Sequence, residues 1–171
     1  DSFVKALNKA VKKLKVGLGT EENVVIGPLI HDKALDKVQS LLKEAVDKGA
    51  KIQCGGNTHA LGAPFFEPTV LSEVTEDMPF SSTEIFGPVA PVYKFKTEEE
   101  AIDLANNTSA GLAAYFYAKD LSRVWKVAEA LEYGMVGINT GKVSTTVAPF
   151  GGVKESGFGR EGSKYGIDEY T

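Results

Sequence analysis

Cys54 followed five residues later by His59 is the pairing that a nucleophilic thiolate and its base would use. The thiol gains nothing from its neighbours in sequence, because it ends a short strand pattern with no helix N-terminus and no fixed cation to lower its pKa. The reading favours a structural cysteine. Glu84, within Ser81-Ser82-Thr83-Glu84-Ile85-Phe86-Gly87-Pro88, has two readings. With Ser81 it makes a capping box for a short helical turn; alternatively its carboxylate accepts from two hydroxyls of a sugar diol beside an aromatic face. Ser144, Thr145 and Thr146 crowd hydroxyls just ahead of Phe150. They suit a polar surface loop, and equally a pocket that holds a polar substrate group against an apolar wall. Gly157-Phe158-Gly159-Arg160-Glu161-Gly162 matches G-x-G-x-x-G letter for letter. A dinucleotide fingerprint also needs a strand before it, a long helix after it and an acidic residue about 20 positions on. Those are missing here, so a turn-rich loop is the better account.

Composition removes other chemistries. One cysteine excludes an intrachain disulfide and a multi-thiolate zinc site, and His31 and His59 have no metal-ligand spacing, so no metal site is expected. Lys and Arg number 19 against 23 Asp and Glu, a net charge of −4, which lacks the basic footprint of a nucleic-acid binder. The apolar stretch from Ile85 to Val92 falls well short of the roughly 20 residues a membrane span needs. The lysine-rich opening has no apolar run of a secretory signal, so no membrane partner and a cytoplasmic location are expected. The absence of an initiator Met, with helical periodicity from the first residues, reads as a fragment or processed product.

The elements that position these residues follow from periodicity. Val4, Leu7, Val11 and Leu14 recur at helical spacing among lysines, the pattern of a core-packed helix with a solvated face. Leu35, Val38, Leu41, Leu42, Ala45 and Val46 mark a second helix, with Asp32 to cap it and Gly49 to end it. Lys51–Cys54 reads as a short strand, and Phe66–Leu71 as an extended segment whose Pro68 suits an edge or a strand start. Strands are expected over 89–95, 112–118 and 135–139. Between them lie a helix opened by the capping box Thr97–Glu100 and running to about Asn106, and a helix capped by Asp120 that carries Leu121, Val124, Trp125, Ala128 and Leu131 and closes at Gly134. Strand, helix, strand, helix, strand is the signature of an α/β fold: an open, twisted, mostly parallel sheet with crossover helices, followed by an irregular C-terminal tail. Ligands of such sheets lie beyond the carboxyl ends of the strands, which singles out the loop 139–152.

The same segments carry a family likeness. Glu84-Ile85-Phe86-Gly87-Pro88-Val89 resembles the E-x-F-G-P motif of the NAD(P)-dependent aldehyde dehydrogenase superfamily, and Pro149–Gly157 resembles its P-F-G-G-x-K-x-S-G segment. Gly27-Pro28-Leu29, Phe66–Val70 and Gly137-Ile138-Asn139 are similar to further landmarks in the same order, so the resemblance runs over residues 1–171. Ser144–Phe150 and Gly159–Gly166 look most like bacterial succinate-semialdehyde dehydrogenases.

The resemblance implies oxidation of an aldehyde to its acid, with succinate semialdehyde as the expected substrate. A cysteine thiolate attacks, hydride passes to NADP or NAD, and water activated by a glutamate hydrolyses the thioester. It implies that Glu84 holds the nicotinamide ribose and Phe86 contacts the nicotinamide end. Phe150 would wall the aldehyde tunnel and Ser144 would bind the distal carboxylate. The family's nucleophilic cysteine, its glutamate and its dinucleotide-binding domain belong to segments upstream of this stretch. Residues 1–171 are therefore expected to be a single partial catalytic domain, silent by itself, from a homo-oligomeric parent (dimer or tetramer). Cys54 is out of place in the motif order for the nucleophile. The competing expectation is a stand-alone, non-catalytic binding or assembly module.

Overall fold

A computed structural model describes residues 2–171. The chain divides into two compact units, Asp1–Lys94 and Phe95–Thr171.

The first unit opens with α1 (Ser2–Val11), which stops short of Leu14. Asn8 on this helix donates to the Gln53 carbonyl at 3.2 Å. Two short strands, β1 (Lys15–Val16) and β2 (Val24–Ile26), pair in parallel. α2 (Asp32–Asp47) then runs for 16 residues. Its cap is not Asp32 but the preceding His31, whose Nδ1 accepts from the Ala34 amide at 3.0 Å. The imidazole does here what a short carboxylate or hydroxyl usually does at this position. Gly49, with φ +105°, lies just past the helix end.

β3 (Lys51–Cys54), β4 (Thr69–Val74) and β5 (Val89–Tyr93) form a three-stranded sheet in the order β3-β4-β5. β4 is antiparallel to β3 and parallel to β5, with Thr69 opposite Val89 and Leu71 opposite Pro91. Pro91 is tolerated because β5 is an edge strand. β4 is the central strand, and Pro68 immediately precedes it. Leu35, Val38, Leu42 and Ala45 from α2 pack with Phe66, Leu71, Val74 and Met78 into one buried core. That apolar face of α2 recurs at the 3.6-residue period, as its sequence predicts.

The second unit begins with α3 (Glu98–Asn106). Thr97 Oγ1 accepts from the Glu100 amide at 3.1 Å, while Glu100 reaches back to the Lys96 amide at 2.6 Å. β6 (Ala110–Gly111) and β7 (Ala113–Phe116) follow. α4 (Leu121–Ala130) is capped by Asp120, which accepts from the Arg123 amide at 2.8 Å. β8 (Met135–Ile138) returns parallel to β7, in step from Ala113 opposite Met135 to Phe116 opposite Ile138. A parallel return needs a crossover, and α4 supplies it.

The α/β class holds, but of the parallel pairs only β7–β8 is joined by an α-helix, β1–β2 and β4–β5 being linked by loop and a 3-10 turn. Among the described residues the strands fall into four small sheets rather than one. Three details differ from expectation. Gly134 does not end α4, which stops at Ala130; a Cβ at Gly134 would run into the Gly151 carbonyl oxygen, so glycine there permits backbone-to-backbone approach. Leu121 and Trp125 face solvent, at 70% and 64% exposure. The tail is not wholly irregular. β9 (Val153–Lys154) pairs antiparallel with β6, and Gly166–Tyr170 makes a 3-10 turn.

Candidate functional site

In the first unit, the loop between a 3-10 turn at Pro79–Ser81 and β5 carries Glu84 and Phe86. The Ser81–Glu84 capping box does not form: Ser81 Oγ bonds back to the Met78 carbonyl at 2.9 Å. Among the described residues nothing donates to the Glu84 carboxylate, which is exposed. Ile85, between the two, packs against the core. Phe86 stands out at 73% exposure with φ +50°, a left-handed conformation that non-glycine residues adopt seldom and at a cost. The loop thus turns its apolar residue inward and presents a free carboxylate and an aromatic ring to solvent.

α2 holds that loop in two ways. Lys37 Nζ donates to the Glu84 carbonyl at 2.5 Å. A Cβ at Gly87 would sit 2.6 Å from Val38 Cγ2, so the loop lies flat on the helix only because that residue is glycine. Beyond it, the Thr69 amide bonds to the Pro88 carbonyl at 2.8 Å, tying the loop exit to β4. Lys37 is a residue that sequence reading passed over. It is one exposed lysine among several on α2, and its bond to Glu84 spans 47 positions.

In the second unit, β8 is followed by Asn139, φ +55°, whose side-chain amide bonds both the amide and the carbonyl of Ala118 at 3.0 and 2.9 Å. The loop that follows carries Ser144, Thr145 and Thr146, all exposed. Phe150 is half-buried and exchanges backbone bonds with Glu161 at 2.8 and 2.7 Å. It lines a cleft of about 310 Å³ together with Leu112, Phe158, Arg160 and Tyr170. Ser144 does not line that cleft. Glu84 and Phe86 therefore share one loop, whereas Ser144 and Phe150 are separated on another. A second cleft, about 560 Å³, lies between α3, α4 and β7, with Ile102, Phe116, Val127 and Leu131 in its walls. It holds none of the four residues singled out from sequence.

The Cys54–His59 pairing is absent. Cys54 is half-buried with Sγ 3.9 Å from the Pro68 carbonyl, and His59 Nδ1 accepts from the Leu61 amide at 3.3 Å within its own turn. The glycine triplet of 157–162 follows only the two-residue strand β9, which pairs antiparallel with β6, and leads into no long helix, in keeping with its reading as a loop. Among the described residues no group of His, Cys, Asp and Glu could hold a metal ion. Among the described residues no helix is long and apolar enough to cross a membrane.

The chain matches the family model described as "Aldehyde dehydrogenase family" over residues 1–171. It is 58% identical over 170 residues to the mitochondrial succinate-semialdehyde dehydrogenase of Arabidopsis thaliana, covering 99% of this chain and 32% of that protein. It is also 58% identical over 170 residues to the glutarate-semialdehyde dehydrogenase of Pseudomonas aeruginosa, covering 99% and 35% respectively. The crystal structure of succinate-semialdehyde dehydrogenase from Burkholderia pseudomallei superposes with a TM-score of 0.97 at 59% identity, again over 99% of this chain and 35% of that one. The chain spans about a third of the length of the relatives it matches.

Proposed function

The chain belongs to the aldehyde dehydrogenase family, and we propose that it is the part of such an enzyme that grips the nicotinamide ribose and walls the aldehyde channel. The reaction proposed is oxidation of succinate semialdehyde to succinate. A five-carbon semialdehyde is the neighbouring substrate, in keeping with the names of the relatives. The dinucleotide, NADP or NAD, takes up the hydride when bound. In this reading residues 1–171 are a partial catalytic domain, and the thiolate that attacks the aldehyde and the glutamate that activates water lie on segments outside them. A cytoplasmic location and a dimeric or tetrameric parent enzyme belong to the same proposal.

One observation carries it. Glu84 offers an exposed, unpaired carboxylate beside the exposed ring of Phe86, on a loop whose backbone is pinned from two directions. A carboxylate has room for several donors, so a vicinal diol can place both hydroxyls on it while the ring packs against a planar heterocycle. Phe150 supplies an apolar wall at a cleft, and the Ser144 hydroxyl, which is exposed and has no bond among the described residues, is free to donate to a distal carboxylate.

The test is Glu84→Gln in the full-length enzyme. The amide keeps the shape but weakens the bonds to the diol. A hydrogen bond to a charged group contributes about 1.5–3 kcal/mol, so the cofactor Km should rise on the order of tenfold to a hundredfold. Unchanged cofactor Km and turnover would remove Glu84 from the ribose site.

A further inference from the structure

We infer that Lys154 is a positioning residue for the Phe150 wall, fixing the segment that carries it to the ends of α3 and α4. The inference deepens the proposed function and rests on it where it concerns the aldehyde.

Lys154 ends β9, four residues beyond Phe150, and its side chain is only 25% exposed. Nζ meets three acceptors: the Asn106 carbonyl at 2.9 Å, the Thr108 carbonyl at 3.2 Å and Glu132 Oε2 at 2.6 Å. An ammonium has three donors and no acceptor, so all its bonds are made. The contact with Asn106 completes α3. That helix has three glutamates in its first turn and no basic residue in its last, leaving its terminal carbonyls without the cation that favours them. Lys154 brings that cation from 48 positions away.

The receiving end is built as a unit. Asn106 Nδ2 donates to the Ala130 carbonyl at 2.8 Å and its Oδ1 accepts from the Glu132 amide at 2.9 Å. The ends of α3 and α4 are therefore already joined where Lys154 docks, and Glu132 is held there by its own backbone. On the delivering side, Lys154 adopts φ +55°. A lysine in the left-handed region persists only where its surroundings demand it, and here the backbone is held on both sides, by the pairing of Lys154 with Ala110 and by the Gly157 amide on the Lys154 carbonyl at 3.2 Å. Around it, the Gly111 amide bonds to Ser156 Oγ at 3.0 Å, and Arg160 Nη1 donates to the Gly152 carbonyl at 2.8 Å. Gly151 and Gly152 lie against Gly134 with no room for a side chain between them. Residues 150–156 thus behave as a bracket in which Phe150 is the tip and Lys154 the bolt.

The test compares Lys154→Met and Lys154→Arg in the enzyme that carries this chain, read by amide exchange and by steady-state kinetics. Methionine keeps the length and removes the charge. The Phe150 and Glu161 amides, which bond to each other's carbonyls, should then exchange at least tenfold faster while those of Val70 and Leu71 do not change. The KM for the aldehyde should rise fivefold or more with kcat within twofold. Arginine restores the charge but presents a planar fork in place of a trigonal ammonium, so it should recover both readouts in part. Unchanged exchange at Phe150 and Glu161, or an equal acceleration across all of Phe95–Thr171, would overturn the inference. So would parallel losses in KM and kcat that arginine does not relieve. Should Lys154→Met fail to fold, Glu132→Gln weakens the shortest of the three contacts and should move both readouts in the same direction. If the parent enzyme oxidises no aldehyde, the proposed function fails while the exchange comparison still decides the role of Lys154.

Discussion

Gly87 shows how little freedom the proposed ribose loop has at the level of single residues. Its backbone is not in the left-handed region, so alanine meets no conformational penalty; the obstacle is Val38, which is fully buried and would lie 2.6 Å from the new methyl group. Either Val38 moves within the core or the loop lifts off α2, carrying Glu84 and Phe86 with it. Overpacking of this kind costs roughly 1–3 kcal/mol. Gly87→Ala should therefore lower the urea midpoint of unfolding. Adding Val38→Ala should give a double mutant less destabilised than the sum of the singles, because the methyl then fills the space vacated. Additive losses, or no loss from Gly87→Ala, would mean the loop does not depend on that contact. Gly87 is legible in sequence only as part of a motif; the atom that demands it sits on a helix 49 positions away and appears only once α2 is folded.

α3 and α4 are fastened at both ends. At the far end are Asn106 and Lys154. At the near end Glu98, on the first turn of α3, accepts from Arg123 Nε at 2.6 Å and from Lys126 Nζ at 2.8 Å on α4. The bond from Lys126, joined by that from Arg123, holds the Glu98 carboxyl below its ordinary value of 4.5, and the same contact raises Lys126. A depressed carboxylate pKa means that the unfolded chain takes up the proton more readily than the folded one. The clasp therefore contributes above pH 4.5 and is lost as pH falls through the lower, folded value. Wild type should be more stable than Glu98→Gln near pH 6, and the gap should close below pH 4.5; a gap independent of pH would exclude the ionised clasp. These helices were readable because Thr97, Glu100 and Asp120 are cap residues with a known geometric task. α2, β3 and β8 were likewise readable from period and boundary glycines. His31 escaped notice because an imidazole seldom caps, and β6 and β9 because strands of two residues carry no period. The partition into four sheets was hidden because pairing is chosen by register and packing between segments far apart. Of the site, the loop residues were visible as types, whereas Lys37 and Lys154 are defined by bonds spanning 47 and 48 positions.

At the level of the whole chain, apolar burial is unevenly divided. Among the described residues, every apolar side chain in the enclosed core belongs to Asp1–Lys94. Phe95–Thr171 relies on half-buried side chains and leaves large apolar ones in solvent, including Tyr117 at 71%, Leu121 at 70%, Trp125 at 64% and Phe158 at 79%. Exposed apolar groups in that number favour association, since removing them from water yields roughly 25 cal/mol per Å². The force is not electrostatic, so salt should not screen it. Light scattering on the 171-residue chain should report a mass above 18.3 kDa that rises with concentration and persists from about 0.05 to 1 M salt, beyond the range over which surface charge is screened. Replacing Tyr117 and Trp125 together by glutamate should reduce that mass without lowering the stability of Asp1–Lys94, whose core neither residue enters. A monomer at every concentration would show that these side chains find cover within the chain itself. Association abolished by salt would instead assign it to the lysine-rich face of α1.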